Sequence, residues 1–277
     1  MRMLTGEQLR RYEEDGFVTV ATGIDSTLLA EAAATMLRLS PPAPDERAWR
    51  TSIGTDNPAI LYHSCFRDIL QHPSIVGCAR EILMAQDVEL FQCSPLVAWP
   101  QPERDRPQHS YRFHSDTELS AMDFRASPRR LTCEMFIWLV DVPPGRAQLT
   151  VHPGSHHENM AYWQAAAGSA RIVGHQAADL PTPAKPPTAV EAKAGQVTLL
   201  TTALTHSASD NADTSPRVVL NPSYTARSFH MQLPQNQAVQ KLQFDEVARR
   251  LLDASVAPAQ LWRGPAGTAA PERASRL

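Results

Sequence analysis

The sequence predicts a mainly β protein with α elements, a β-core covered by an N-terminal helical layer. Three observations carry this. Helical patterns crowd the first 84 residues, short β-rich runs bounded by Pro, Gly and Asn/Asp turns dominate afterwards, and no internal repeat interrupts that order. A chain of 277 residues is long for one average domain, but β-barrels and sandwiches reach this length undivided.

The elements follow in order. Thr5 with Gln8 forms a capping-box pattern, and Leu4, Leu9 and Tyr12 can share one apolar stripe. Gly16 breaks that helix, and residues 17–20 suit a strand. "DSTLLAEAAATMLRL" (25–39) reads as a second helix capped by Asp25 or Ser26, and the prolines of "SPPAP" stop it. Residues 45–64 are irregular. "HPSIVGCAREILM" (72–84) is helical, with Pro73 tolerated in the first turn. "VELFQCSPLVAW" (88–99) turns β-rich, and 100–108 is a polar loop.

Further strands are expected within 131–142, 147–152, 196–202 and 218–227. Between them, 157–190 is a long excursion, helical around "MAYWQAAA" and a loop at "DLPTPAKPPT", of the kind that serves as a lid. A last helix is expected over 244–255. One domain is thus expected over 1–263, followed by a disordered Pro/Gly-rich tail, 264–277.

Composition narrows the function. With 43% apolar and 20% charged residues the chain has ample core. A net charge of −3 without a basic block excludes a nucleic-acid phosphate footprint. No run approaches the roughly 18 apolar residues of a membrane span. The N-terminus is polar, without the apolar centre of a signal peptide, so a cytoplasmic location is expected. Cys65, Cys78, Cys93 and Cys133 show no pairing pattern and read as free buried thiols.

Chemistry concentrates at "YRFHSDTE" (111–118). On an extended strand the side chains of His114 and Asp116 project to the same face. The pair is either a hydrogen-bonded surface couple or part of a metal site that needs a third ligand. Of the ten histidines, His63, His72, His109, His175 and His230 stand alone in loop or boundary contexts. His152, His156 and His157 cluster, but the intervening Pro-Gly turn scatters their rings. His206 remains, at the end of a strand-like run, with Arg217 opening the next strand after a polar turn. Two imidazoles and a carboxylate form the facial triad of non-haem Fe(II) oxygenases. The planar guanidinium of Arg217 suits a carboxylate, as for an oxo-acid co-substrate. On these four residues alone, a surface pair with an unrelated His and Arg stays open.

Wider context comes from a resemblance. "LTGEQLRRYEEDGFVTV", "FHSD", "WLVDVPPGRAQLTVHPGSH" and "AGQVTLLTTALTHSASDNADTSPRVVLNPSY" resemble, in order, the motifs of the phytanoyl-CoA dioxygenase-like family of Fe(II)/2-oxoglutarate oxygenases, over roughly residues 1–230. "FHSDTE" is also similar to ectoine hydroxylases of that family. The resemblance implies a double-stranded β-helix (jelly-roll, cupin-like) core. It also implies Fe(II) held by His114, Asp116 and His206, with O2 and 2-oxoglutarate as co-substrates. Arg217 would grip the distal carboxylate of 2-oxoglutarate, and Gln92 is the nearest match to a co-substrate-contacting Gln. Phe136 stands where many relatives carry Trp, and Ala147 where they commonly carry Gly. "AWPQP" replaces a Lys-Pro, and an intact Asp116 argues against halogenation.

A small or medium natural-product substrate is expected, since no CoA-phosphate cradle is evident. Tyr111, Phe113, Glu118, Trp163, Tyr224 and Arg227 are its candidate contacts, each aromatic being equally compatible with core packing. The outcome would be hydroxylation, desaturation, cyclisation or epimerisation by a monomer or homodimer. The alternatives are a non-catalytic binding module of the same fold, or a metal-dependent hydrolase using the same triad.

Overall fold

The computed structural model describes residues 2–39, 51–52, 63–101, 113–115, 132–166 and 180–226. Helix α1 (Gly6–Asp15) starts at the expected box: Gln8 N–H donates to Thr5 Oγ1 at 3.2 Å and Thr5 N–H to Gln8 Oε1 at 2.7 Å. It ends at Gly16, whose φ of 84° is left-handed. Strand β1 (Phe17–Ala21) follows, then α2 (Ser26–Leu39). Asp25 caps α2 by accepting from Thr27 and Leu28 N–H.

After the two-residue β2 (Thr51–Ser52), α3 (Ser64–Leu70) forms just past the stretch read as irregular, 45–64, where no element was expected, with His63 Nδ1 at its cap. Helix α4 (Pro73–Leu83) places its proline in the first turn. The remaining elements are β3 (Val88–Ala98), β4 (Thr132–Trp138), β5 (Leu149–Val151), α5 (Ser155–Ala166), β6 (Thr188–Val190), β7 (Gln196–Thr201), β8 (His206–Ala208) and β9 (Arg217–Ala226). The excursion expected over 157–190 is therefore helix at its start and strand at its end. Its middle, 167–179, and the expected helix 244–255 lie outside the described residues.

The strands form two antiparallel sheets, a six-stranded one in the order β1-β7-β4-β9-β3-β2 and a three-stranded one in the order β6-β5-β8. This is the double-stranded β-helix. Alternation along the large sheet divides its side chains. Cys133, Met135, Ile137, Val218, Leu220 and Tyr224 pack outward with α1–α4 residues such as Tyr12, Met36, Phe66 and Ile82. Phe136, Trp138 and Val219 point inward and meet Leu149, Val151 and Val190 of the small sheet. Register slips once, between Leu90 and Gln92 of β3, where a bulge lets Val88 and Leu90 and then Cys93 and Val97 all face the helices.

All four cysteines are buried free thiols. Burial, reinforced by Glu31, pushes Cys65 up to about 11. Burial, reinforced by Glu81, takes Cys78 to about 12. Among the described residues no helix is long and apolar enough to cross a membrane.

Candidate metal centre and co-substrate pocket

His206 opens β8 opposite Val151, and its other edge meets His114 in an isolated antiparallel bridge. His114 N–H donates to His206 O at 3.0 Å, and His206 N–H to His114 O at 2.9 Å. Two histidines 92 positions apart are thereby fixed on one rung, with ring centroids 4.4 Å apart. His206 is 4% exposed. Its Nδ1–H donates to Leu204 O at 3.0 Å, which leaves Nε2 as the nitrogen bearing the lone pair. The Phe136 ring stands edge-on to it at 6.3 Å.

The turn carrying His206 is braced by α5. Asn159 Nδ2 donates to Ala203 O at 2.7 Å and to Thr205 Oγ1 at 2.8 Å. Ser155 Oγ accepts from Thr205 N–H at 2.9 Å, and His152 N–H donates to Thr205 O. The His152–His157 cluster therefore belongs to a brace. His152 Nδ1 bonds Lys185 O, and His156 Nε2 bonds Glu13 O at 3.0 Å. Burial first, then the neighbouring His157, pushes His156 down to about 4. Gly16 is where α1 meets this brace: a Cβ there would lie 2.6 Å from His156 Nδ1 and 2.8 Å from Leu204 Cδ1. Sequence reasoning missed the roles of Ser155 and Asn159; Ser155 had its place in the "PGSH" motif as a signal, whereas Asn159 lies three residues beyond that motif.

Arg217 opens β9 on the inward face, opposite Ala98 of β3. It is 3% exposed, and burial lowers its pKa from 12.5 to about 10. One guanidinium nitrogen donates to Ala147 O at 2.9 Å, whereas Nε has no partner among the described residues. A buried cation with an unused donor is costly and draws an anion. Ala147, the position where the resembled family commonly has Gly, adopts a φ of 44°. The polar turn before β9 is ordered by Asn211, which donates to Ala98 O and Ser215 O, and by the Arg146–Asp213 ion pair at 2.8 Å.

The other expected contacts divide. Gln92 pairs in register with Ser223 on β9. The Phe113 ring lies 4.5 Å from that of His152. Trp163 is fully buried on α5. Tyr224 corrects the expectation of a substrate contact: it faces the helical layer, and its hydroxyl donates to Leu70 O at 2.6 Å. Asp116, Tyr111, Glu118 and Arg227 lie outside the described residues. Glu31, His63 and Cys65 also bring ligand-type atoms within 4.8 Å of one another. There His63 Nδ1 already caps α3 and the thiol keeps its proton.

Comparison with known proteins adds an independent line. The family described as Phytanoyl-CoA dioxygenase (PhyH) matches residues 12–219. Sequence comparison with curated proteins gives no match. Among solved structures, the carbocyclase SnoK from nogalamycin biosynthesis superposes with a TM-score of 0.58 at 20% identity, over 87% of this chain and 92% of its own. The epimerase SnoN, solved with Fe3+, alpha ketoglutarate and nogalamycin RO, gives 0.55 at 24% identity over 79% and 82%. HygX from Streptomyces hygroscopicus, solved with nickel, 2-oxoglutarate and hygromycin B, gives 0.55 at 18% over 82% and 89%. At these identities the superpositions establish the shared fold.

Proposed function

Because the chain belongs to the phytanoyl-CoA dioxygenase family of Fe(II)/2-oxoglutarate-dependent oxygenases, we propose that it oxidises a small natural-product-like molecule, as a tailoring hydroxylase, oxidative cyclase or epimerase. His114, His206 and Asp116 are the iron ligands in this reading, and Arg217 holds the distal carboxylate of 2-oxoglutarate. The carrying observation is the bridged histidine pair on the inner side of a barrel that also buries an arginine with an unused donor. The residues fit the group. Two imidazoles, one with its tautomer fixed by Leu204 O, suit a borderline divalent metal, and the guanidinium suits an anion.

Iron, when bound, supplies the O2 chemistry that couples 2-oxoglutarate decarboxylation to loss of a substrate hydrogen. The chain's own contribution is placement. The bridge sets the spacing of the two imidazoles, the α5 brace sets the turn, and Arg217 orients the oxo-acid by charge. A hydrolase using the same triad has no use for a buried Arg217. That SnoN is an epimerase, SnoK a carbocyclase and HygX was solved with hygromycin B supports the tailoring reading.

The test is anaerobic addition of Fe(II) and 2-oxoglutarate, which should give a visible charge-transfer band. Air should then yield succinate in step with O2 uptake. His206→Ala should abolish both while the far-ultraviolet dichroism is kept. A band of undiminished strength in that variant refutes the ligand assignment.

A further inference from the structure

The inner wall of the barrel changes character along its length. From Arg217 the inward positions pass Val219 opposite Trp138, then Phe136 at the height of His206, then Glu134 opposite Ser223. Glu134 is 1% exposed. Thr132 Oγ1 donates to its Oε1 at 2.8 Å, and the Ser223 hydroxyl donates to Oε2. The Thr202 hydroxyl lies 2.5 Å from that of Thr132. The next rung repeats the chemistry, with Glu89 opposite Thr225 at 5% and 1% exposure.

The hydroxyls of Thr132 on β4 and Ser223 on β9 thus both donate to one carboxylate, and Thr202 stands behind Thr132. Glu134 sits one inward position beyond Phe136, about 7 Å along β4, on the side of His206 away from Arg217. With the oxo-acid drawn toward Arg217, this opposite side is the one left to the substrate.

We propose that Glu134 is the specificity-determining residue of this site, accepting hydrogen bonds from an amine or hydroxyl group of a donor-rich small molecule, with Thr132 and Ser223 fixing its carboxylate. The proposal rests on the oxygenase reading above. An acyl chain offers no donor and would bury this wall against hydrocarbon, so the same residues select against acyl thioesters.

The test uses the full chain loaded with Fe(II). Succinate release is measured with panels of amine-bearing glycosides, neutral glycosides and acyl-CoA thioesters. Stimulation is expected from the donor-bearing panels. In Glu134→Gln, KM for a stimulating probe should rise at least tenfold, and more for amines than for neutral glycosides. Half-saturation by 2-oxoglutarate, read in the anaerobic titration, should move less than twofold. Should Glu134→Gln not fold, Ser223→Ala carries the same split with a smaller rise in KM. No stimulation by any donor-bearing probe, stimulation by acyl-CoA alone, or parallel loss of probe and 2-oxoglutarate affinity overturns the proposal. Failure of the oxygenase reading looks different: the wild type then gives neither the anaerobic band nor succinate.

Discussion

Replacing Arg217 by Met should make the metal-free protein more stable and the loaded protein less able to hold its co-substrate. A guanidinium whose pKa falls from 12.5 to about 10 on burial carries a penalty of about 3 kcal/mol in its charged form. Removing it also removes the bond to Ala147 O, worth about 1 kcal/mol. The balance is a gain of about 2 kcal/mol, or roughly 4–8 °C in Tm for a chain of this size. Met fills much of the same volume, so cavity formation contributes little. In the loaded state the sign reverses, because losing a buried charge-paired hydrogen bond costs about 2–5 kcal/mol. That is roughly 30-fold to several thousandfold in 2-oxoglutarate affinity. Differential scanning calorimetry of the metal-free protein reads the first effect and an anaerobic 2-oxoglutarate titration the second. With iron present in both, the wild-type Tm should climb further on adding 2-oxoglutarate while that of the variant moves little at the same concentration. A metal-free Tm several degrees lower in Arg217→Met would mean that a charge partner holds the guanidinium, and would refute the reasoning.

Other outcomes follow from the same geometry. Asn159→Ala removes two buried bonds from the turn before His206 and should weaken iron binding about 10–100-fold by chelator competition, with Tm several degrees lower. Ala147→Gly relieves a left-handed alanine, worth about 1–2 kcal/mol against about 0.5–1 kcal/mol of added chain freedom. A rise in Tm of about 2 °C is expected, and a fall contradicts the strain. His156 is pushed down to about 4 in the fold against an ordinary 6.5, so the unfolded chain takes up the proton first. Its contribution is whole above pH 6.5 and is lost as pH falls toward 4. The drop in Tm between pH 7 and 4.5 should be smaller in His156→Gln, which keeps a donor for Glu13 O.

Much of this architecture was legible because local signals agreed. Thr5, Gln8 and Gly16 mark both ends of α1, Asp25 caps α2, and Pro73 opens α4 as its chemistry requires. His114, His206 and Arg217 stood out as residue types that strand ends can converge. The face of Tyr224 was not legible, because β9 is buried on both sides and its hydrophobic pattern does not alternate. The brace escaped for another reason. Asn159 and Ser155 act through backbone atoms 44 and 50 positions away, a carbonyl and an N–H that residue identities do not reveal. Helix α3 is short and capped by a histidine ring, a signal too weak to read beforehand.

The single extra residue in β3 sets the vulnerability of the whole wall. Glu89 lies before the slip and Ser94, Leu96 and Ala98 after it, yet all four share the cavity side through their β9 partners. Losing one amino acid there would turn the leading half of the strand over, carrying an acid into the hydrocarbon beneath the helices and Leu90 into the cavity. A one-codon deletion at this point is therefore a harsher lesion than most point substitutions, and chain length here is as strict a requirement as residue identity.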